Sequence, residues 1–336
     1  MSYPDELVTF IIACYNEENY IQECVDSCLS QTYRNIEVCI TDDGSTDNTW
    51  GLLNQSYSNS ENVRLHRFEV NKGKIEAFND AFHRARGHYV ALIGADDVCF
   101  QKRIENSIFH MEYCDLVFGN IIKFNSDGVI QDDIMKNLHG LNGNQDISFD
   151  SLLYNPIVYG PTIFAKKEIL NEIFPLDNDL SHEDWWIPLY AAYKGKVKYI
   201  DNFLIRYRVH PKQTTNYFNK KLFKYSSWKK LNIRELGYVD KVTKSFDLSS
   251  EEKRYFESWL SYLSIFQSKL TDRLAHFNKA LYYVRTKNLN FLNPFILTLS
   301  PRLFFYISAL KRGFLLLIKP SFIKFLAILI NHQVWL

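Results

Sequence analysis

The chain has 336 residues, 46% hydrophobic and 23% charged, which supplies a core and excludes intrinsic disorder. Thirty-nine Lys and Arg against 38 Asp and Glu give a net charge of +1, which excludes a uniformly basic nucleic-acid binder. That total conceals a division: the last acid is Asp272, and the nine basic residues beyond it make a +9 tail on a body of −8. Such asymmetry suggests a tail that meets an anionic surface, and the length suggests two domains or one domain with an appendage.

Residues 7–13 (LVTFIIA) form a short β-branched apolar run that predicts a buried strand. Between Asn16 and Gln31, Ile21, Val25, Cys28 and Leu29 fall on one helical face. Residues 36–41 (IEVCIT) predict a second buried strand, stopped by Asp42-Asp43-Gly44-Ser45, with Ser45 or Thr46 placed to cap the next helix. A strand at 63–68, a helix at 74–85 and a strand at 88–93 (HYVALI) continue the alternation. The pattern is that of an α/β fold, a parallel sheet covered on both faces. Such sheets bind ligands beyond the carboxyl ends of their strands, where Tyr15-Asn16-Glu17, Asp42-Asp43 and Asp96-Asp97 fall. Residues 100–180 mix strands with loops, and the Gly/Asn-rich 138–145 predicts a mobile, substrate-facing segment. Beyond about residue 215 the pattern turns helical, with Ser249 and Glu252 spaced as a capping box for a helix running to about Lys287.

Six cysteines, Cys14, Cys24, Cys28, Cys39, Cys99 and Cys114, fall in the first 114 residues and make no disulfide framework. Cys24 and Cys28 are one helical turn apart but have no partner pair at zinc spacing, so core packing is expected. The opening MSYPDELVTFIIACYN lacks the pattern of a signal peptide. A reducing, cytoplasmic compartment is the expectation.

Three acidic clusters carry the chemistry. A strand-to-helix turn accounts for Gly44, Ser45 and Thr46 but not for adjacent carboxylates at 42 and 43, which suit a donor-rich ligand or a cation. Gly94-Ala95-Asp96-Asp97, directly after a fully apolar strand, suits Mg²⁺ or Mn²⁺ held by one or two carboxylates plus substrate phosphates. In Ser181-His182-Glu183-Asp184-Trp185-Trp186 a carboxylate pair runs into aromatic residues, where desolvation can raise a pKa and make a general base. A helix N-terminus, with the acids favouring its dipole, is the plainer reading of the same residues.

At this point the motifs become recognisable. Residues 8–49 (VTFIIACYNEENYIQECVDSCLSQTYRNIEVCITDDGSTDNT) resemble the opening of family 2 glycosyltransferases, inverting nucleotide-sugar enzymes with a GT-A fold. The likeness continues through Asn71-Lys72-Gly73, Ala77-Phe78-Asn79, Arg86-Gly87-His88-Tyr89 and Asp96-Asp97. It resumes at His182-Glu183-Asp184-Trp185 and ends at Tyr207-Arg208-Val209-His210-Pro211, covering roughly 7–215. The resemblance implies a GT-A domain over 1–215; the residue pattern beyond it predicts a helical extension over 216–290 and basic apolar helices over 291–336. It implies that Asp42, with Asp43, contacts the nucleotide near Ala13, Tyr15, Asn16 and Glu17, with Asn79 among the nucleotide-sugar contacts. Asp96 and Asp97 match the family's metal and ribose-phosphate acids, with the metal's own ligand left open between them. Asp184 matches the general base, and His210 the residue that approaches the diphosphate or metal. Two departures stand out: Gly94 where the family often has an acid, and Phe78 where it often has Arg. The second leaves Lys74 or Arg84 to supply a phosphate-facing cation.

The tail segment 291–330 is strongly apolar, but Pro301-Arg302, Lys311-Arg312, Lys319-Pro320 and Lys324 interrupt it. No run reaches the roughly 20 residues of a membrane-spanning helix, so helices lying in an anionic membrane interface are expected. A helical lid on the enzyme or a homodimer contact is the alternative. Together these readings predict a Mn²⁺- or Mg²⁺-dependent inverting hexosyl- or N-acetylhexosaminyltransferase. It would use a nucleotide sugar, a UDP-sugar first, and act on a glycan or lipid-linked acceptor in surface-polysaccharide synthesis. It would sit peripherally on the inner face of the cell membrane, with no nucleic-acid partner. A sugar nucleotidyltransferase and a non-catalytic glycan-binding subunit are the alternatives. The base and the Tyr-Arg-Val-His segment argue against the first, and intact Asp96, Asp97 and Asp184 against the second.

Overall fold

The computed structural model describes residues 5–131, 135, 139–154, 157–178, 180, 182–211, 213 and 237–264. The chain divides into two compact units, residues 1–217 and 218–336.

In the first unit, β1 (Val8–Cys14), α1 (Ile21–Leu29), β2 (Ile36–Asp42), α2 (Thr49–Tyr57), β3 (Val63–Arg67), α3 (Lys74–Arg84) and β4 (Tyr89–Gly94) alternate as the sequence predicts. They lie within one or two residues of the expected strands, because unbroken β-branched runs buried on both faces leave little freedom of register. Next come β5 (Val98–Cys99), α4 (Arg103–Ile108), β6 (Leu116–Asn125), β7 (Gly128–Gln131), β8 (Gln145–Ile147) and α5 (Phe149–Tyr154). A 3-10 turn (Gly160–Thr162), β9 (Phe164–Lys166), α6 (Lys167–Asn171), α7 (Glu183–Lys194) and β10 (Val197–Arg208) complete the unit.

The strands form one sheet in the order β3-β2-β1-β4-β9-β6-β10-β5, with β7 on β6 and β8 on β10. Most paired residues are parallel, but β9 enters antiparallel between β4 and β6, a feature without a periodic signal in three residues. Strand β1 has β2 on one side and β4 on the other, so strand order reverses there. The register sets Ala13 between Thr41 and Gly94 and Cys14 beside Asp42. The carboxyl ends of β1, β2 and β4 therefore open side by side, at the place where such sheets form a ligand crevice.

At the opposite end of the same strands, Arg86 clasps Glu37 through its backbone N–H (2.7 Å) and guanidinium (2.6 and 2.8 Å), and Thr9 also donates to Glu37 (2.8 Å). A Cβ at Gly87 would lie 2.6 Å from the Thr9 nitrogen, so this position admits no side chain. The Arg86-Gly87 motif thus closes the amino end of the sheet, away from the crevice.

Three local expectations are corrected. Helix α1 begins at Ile21, not Asn16, because Asn16 adopts φ 59° and its side-chain oxygen accepts the backbone N–H groups of Thr46 (2.8 Å) and Asp47 (3.3 Å). Neither Ser45 nor Thr46 caps α2, whose N-cap is Asn48, since Ser45 turns back onto Asp42. Within the segment expected to be mobile, Gly143 N–H donates to Asp201 (3.0 Å) and Asn144 accepts from the Asp201 N–H (2.7 Å), which pins it to β10.

In the second unit the capping box forms: Ser249 N–H donates to Glu252 (2.6 Å) and Glu252 N–H to Ser249 Oγ (3.3 Å), opening the helix Ser250–Ser264. Its expected continuation to Lys287 and the 291–330 tail lie outside the described residues. Among the described residues no helix is long and apolar enough to cross a membrane. All six cysteines are buried free thiols, as packing within the core required.

Candidate active site

The crevice holds a cavity of about 380 Å³, and Ala13, Tyr15, Glu17, Asp43, Lys74, Asp96, Asp97 and Asp184 line it. Asn16, Asp42, Asn79 and His210 are not among the residues of its wall.

Adjacent carboxylates at a strand exit point to opposite sides, and their roles divide accordingly. Asp42 is fully buried; its Oδ1 accepts both the backbone N–H (3.2 Å) and the hydroxyl of Ser45, and Arg67 Nε stands 3.2 Å from its Oδ2. Burial raises its pKa against the Ser45 bonds and the Arg67 charge. Asp43 faces the cavity and accepts the backbone N–H groups of Lys72 (2.7 Å) and Gly73 (2.9 Å), tying the loop before α3 to the end of β2. Gly44, at φ 69°, packs so close to the Val70 backbone that a Cβ would lie 2.8 Å from its carbonyl carbon.

The second acidic pair is held from β10. Arg208 N–H donates to Asp97 Oδ1 (2.9 Å), Arg208 Nε donates to the Asp96 carbonyl (2.8 Å), and the same guanidinium reaches Glu23 on α1. His210 Nε2 stands 3.0 Å from Asp96 Oδ2, and its ring packs 4.7 Å from Tyr20. The other two carboxylate oxygens converge over Gly94: a Cβ there would lie 2.8 Å from Asp97 Oδ2 and 3.0 Å from Asp96 Oδ1. The glycine that departs from the expected acid is therefore the residue that leaves room for this pair. Burial, and then the Asp96 charge, push Asp97 well above the usual carboxylate range, with the Arg208 N–H opposing.

Two hard oxygens facing one space, in a pair whose mutual repulsion a cation relieves, fit a divalent ion completed by phosphate oxygens. Among the described residues no three His, Cys, Asp or Glu side chains are grouped as a ready metal cage. His210 is outside the cavity wall, and its Nε2 is engaged with Asp96 Oδ2.

Asp184, also in the cavity wall, sits in the first turn of α7, where the helix dipole favours its charge. Burial raises its pKa to about 7; the Glu183 charge adds to the rise and Lys74 opposes it. Lys74, at the start of α3, forms an ion pair with Glu183, so the lysine expected to face phosphate is engaged beside Asp184. Arg84 is not free for phosphate either: it donates to Thr41 Oγ1 (2.7 Å), the Ile40 carbonyl (3.0 Å) and Asp80 (2.8 Å) beneath the sheet end. Asn79 exchanges two bonds with the Leu176 backbone (2.7 and 2.8 Å), bracing α3 rather than reaching the cavity.

Sequence reasoning missed the turn Tyr159-Gly160-Pro161, which lines the cavity beside Asp184. A Gly-Pro pair marks a turn, but nothing local announces where it docks. Phe78, seen as a departure from the family pattern, also lines the wall and makes it apolar where a cation was expected.

A mostly parallel sheet with an acidic pair beyond the carboxyl end of a central strand is the architecture of the GT-A class of sugar transferases. The chain belongs to Glycosyl transferase family 2, whose profile matches residues 9–174. It is 32% identical over 210 residues to the UDP-Glc:alpha-D-GlcNAc-diphosphoundecaprenol beta-1,3-glucosyltransferase WfaP of Escherichia coli, covering 61% of this chain and 78% of that one. The match spans 68% and 65% of two further curated relatives, both glycosyltransferases. Its fold is similar to S. aureus TarS 1-349 in complex with UDP-GlcNAc, with TM-score 0.57 and 17% identity over 91% of this chain and 92% of that one. It is also similar to the mannosyltransferase PcManGT from Pyrobaculum calidifontis in complex with GDP-Man and Mn2+, with TM-score 0.55 and 17% identity over 83% of this chain and 77% of that one.

Proposed function

We propose that the protein transfers a hexose or N-acetylhexosamine from a UDP-sugar to a hydroxyl of a glycan or lipid-linked acceptor, inverting the anomeric centre, in surface-polysaccharide assembly. The observation that carries the reading is a single cavity lined by Asp96, Asp97 and Asp184, the last with its pKa raised to about 7. An acceptor hydroxyl must lose its proton as it attacks, and a carboxylate with a pKa near the working pH is matched to that task. The α7 dipole and Lys74 keep Asp184 ionisable despite its burial. Asp43 and the Lys72-Gly73 backbone shape the nucleotide end, with Ala13, Tyr15 and Glu17 on the same wall.

Mn²⁺ or Mg²⁺ held by Asp96 and Asp97 would neutralise charge on the departing diphosphate. His210 and Arg208 fix those carboxylates, through Asp96 Oδ2, the Asp96 carbonyl and Asp97 Oδ1. The PcManGT complex with Mn2+ and the TarS complex with UDP-GlcNAc support the ion and the donor class. The diphosphoundecaprenol-linked acceptor in the name of the E. coli relative supports the acceptor class. The +9 apolar tail would keep the catalytic unit at the membrane where such acceptors lie.

The test is release of nucleoside diphosphate from a panel of sugar nucleotides with Mn²⁺, comparing the wild type with Asp184→Asn. Turnover of one donor by the wild type, lost in the variant, is expected. No turnover of any donor by either protein would overturn the reading in favour of a binding subunit.

A further inference from the structure

Lys123 lies on β6 in parallel register with Tyr207 of β10, so the two side chains leave the sheet on one face. Its ammonium stands 5.6 Å from the centre of the Tyr159 ring, and Tyr159 meets Tyr207 at 6.1 Å in an edge-to-face contact. Both tyrosines line the active-site cavity. The residue after Tyr159 is Gly160, where a Cβ would stand 3.1 Å from Asp184 Cβ. Lys123 is thereby tied, through one turn, to the side of the cavity that holds the base.

Lys74 is paired with Glu183, Lys166 with Asp115 (2.9 Å) and Lys198 with Asp146 (2.6 Å). Lys123 is partly buried, burial lowers its pKa, and no carboxylate among the described residues forms an ion pair with it. Near it lies another base, His139, which burial and then the Lys123 charge hold below the ordinary histidine range. An aromatic face is a weak substitute for water around an ammonium, and a half-buried cation without a counter-ion is completed by an anionic ligand.

We propose that Lys123, seated over Tyr159, binds a phosphate-ester anion carried next to the acceptor sugar. The inference rests on the transferase reading and specifies its acceptor: a sugar joined to phosphate or diphosphate. Tyr159 and Tyr207 then offer ring faces to the sugar or the first carbons beyond the anion, while Asp184 faces the hydroxyl. A neutral oligosaccharide acceptor would leave the ammonium uncompensated.

UDP binding is measured first by calorimetry in excess Mg²⁺ and tests the transferase reading separately. With UDP saturating, geranyl diphosphate, inorganic diphosphate and geraniol are then titrated into the wild type, Lys123→Met, Lys123→Gln and Lys123→Arg. Geranyl diphosphate is expected to bind the wild type and Lys123→Arg, and to bind Lys123→Met and Lys123→Gln about tenfold or more weakly, the scale of one charge-assisted contact. UDP affinity and Tm are expected to stay unchanged in all three variants. Geraniol is expected to bind none of them measurably. The same tenfold loss with inorganic diphosphate assigns the site to the anion alone, and a loss confined to geranyl diphosphate assigns it to a lipid-linked phosphate. Equal affinity of the wild type and Lys123→Met for geranyl diphosphate would overturn the proposal, as would its complete displacement from the wild type by UDP.

Discussion

Gly160 and Asp184 face each other so closely that a methyl group on Gly160 would stand 3.1 Å from Asp184 Cβ. The backbone at 160 has an ordinary negative φ, so alanine fits the turn and the strain falls on the base. Gly160→Ala is expected to fold with an unchanged Tm, keep its KM for the sugar nucleotide, and lose about tenfold or more in kcat, because sub-ångström displacement of a reacting group is costly. Parallel loss in donor affinity would show that the turn shapes the donor pocket instead.

Asp184 has two roles in pH. With its pKa raised to about 7, the base is half protonated at neutrality, so log kcat/KM rises with unit slope up to about pH 7 and levels above it. Asp184→Asn abolishes this limb and lowers kcat by about a hundredfold to ten-thousandfold. The stability effect runs the other way. A carboxyl raised in the folded state stabilises while it is protonated; that contribution is present below its ordinary value and lost as pH rises through about 7. The asparagine variant should therefore melt a few degrees above the wild type at pH 8, with the difference vanishing near pH 4.

The Lys74–Glu183 pair tunes that base. Glu183 raises the Asp184 pKa and Lys74 lowers it, and they bond to each other between the first turns of α3 and α7. Lys74→Met removes the opposing cation and frees the Glu183 charge, so the acidic limb of the rate profile moves to higher pH. Glu183→Gln removes the like charge and moves it lower. Rate profiles of the two variants should bracket that of the wild type, and identical profiles in all three would exclude electrostatic tuning by this pair.

The parts of this site that the sequence makes legible are those written locally. β-branched runs set β1, β2 and β4, and their punctuation by Asp42-Asp43 and Gly94-Asp97 places acids at strand ends. What local pattern conceals is the direction of each side chain. Asp42 and Asp43 are equivalent in sequence, yet pleating turns one onto Ser45 and Arg67 and the other toward the cavity. Asn79 is spent on Leu176 and Arg84 on Thr41, partners 97 and 43 residues away, which no spacing rule anticipates. The short antiparallel β9 and the Tyr159–Pro161 turn depend wholly on tertiary docking, so the part of the wall beside Asp184 is not legible in the sequence.

Gly94 is the last case, because its meaning reverses between sequence and structure. As a letter it is a missing acid in a metal motif; in the fold it is the floor on which Asp96 Oδ1 and Asp97 Oδ2 converge. Gly94→Ala places a Cβ 2.8 Å from Asp97 Oδ2 and 3.0 Å from Asp96 Oδ1, so one or both carboxylates must swing away. Asp97 is fixed by the Arg208 N–H and Asp96 by His210, and neither can move without losing a part-buried hydrogen bond. The variant should lose about tenfold or more in Mn²⁺ affinity, measured by titration in the presence of UDP, while circular dichroism and the Asp184-dependent pH limb stay unchanged. Gly94→Asp, which restores the common family acid, should fare no better, since its Cβ meets the same two oxygens. Full activity in the aspartate variant would mean that the carboxylate pair is free to rearrange and that Gly94 is not required for its geometry.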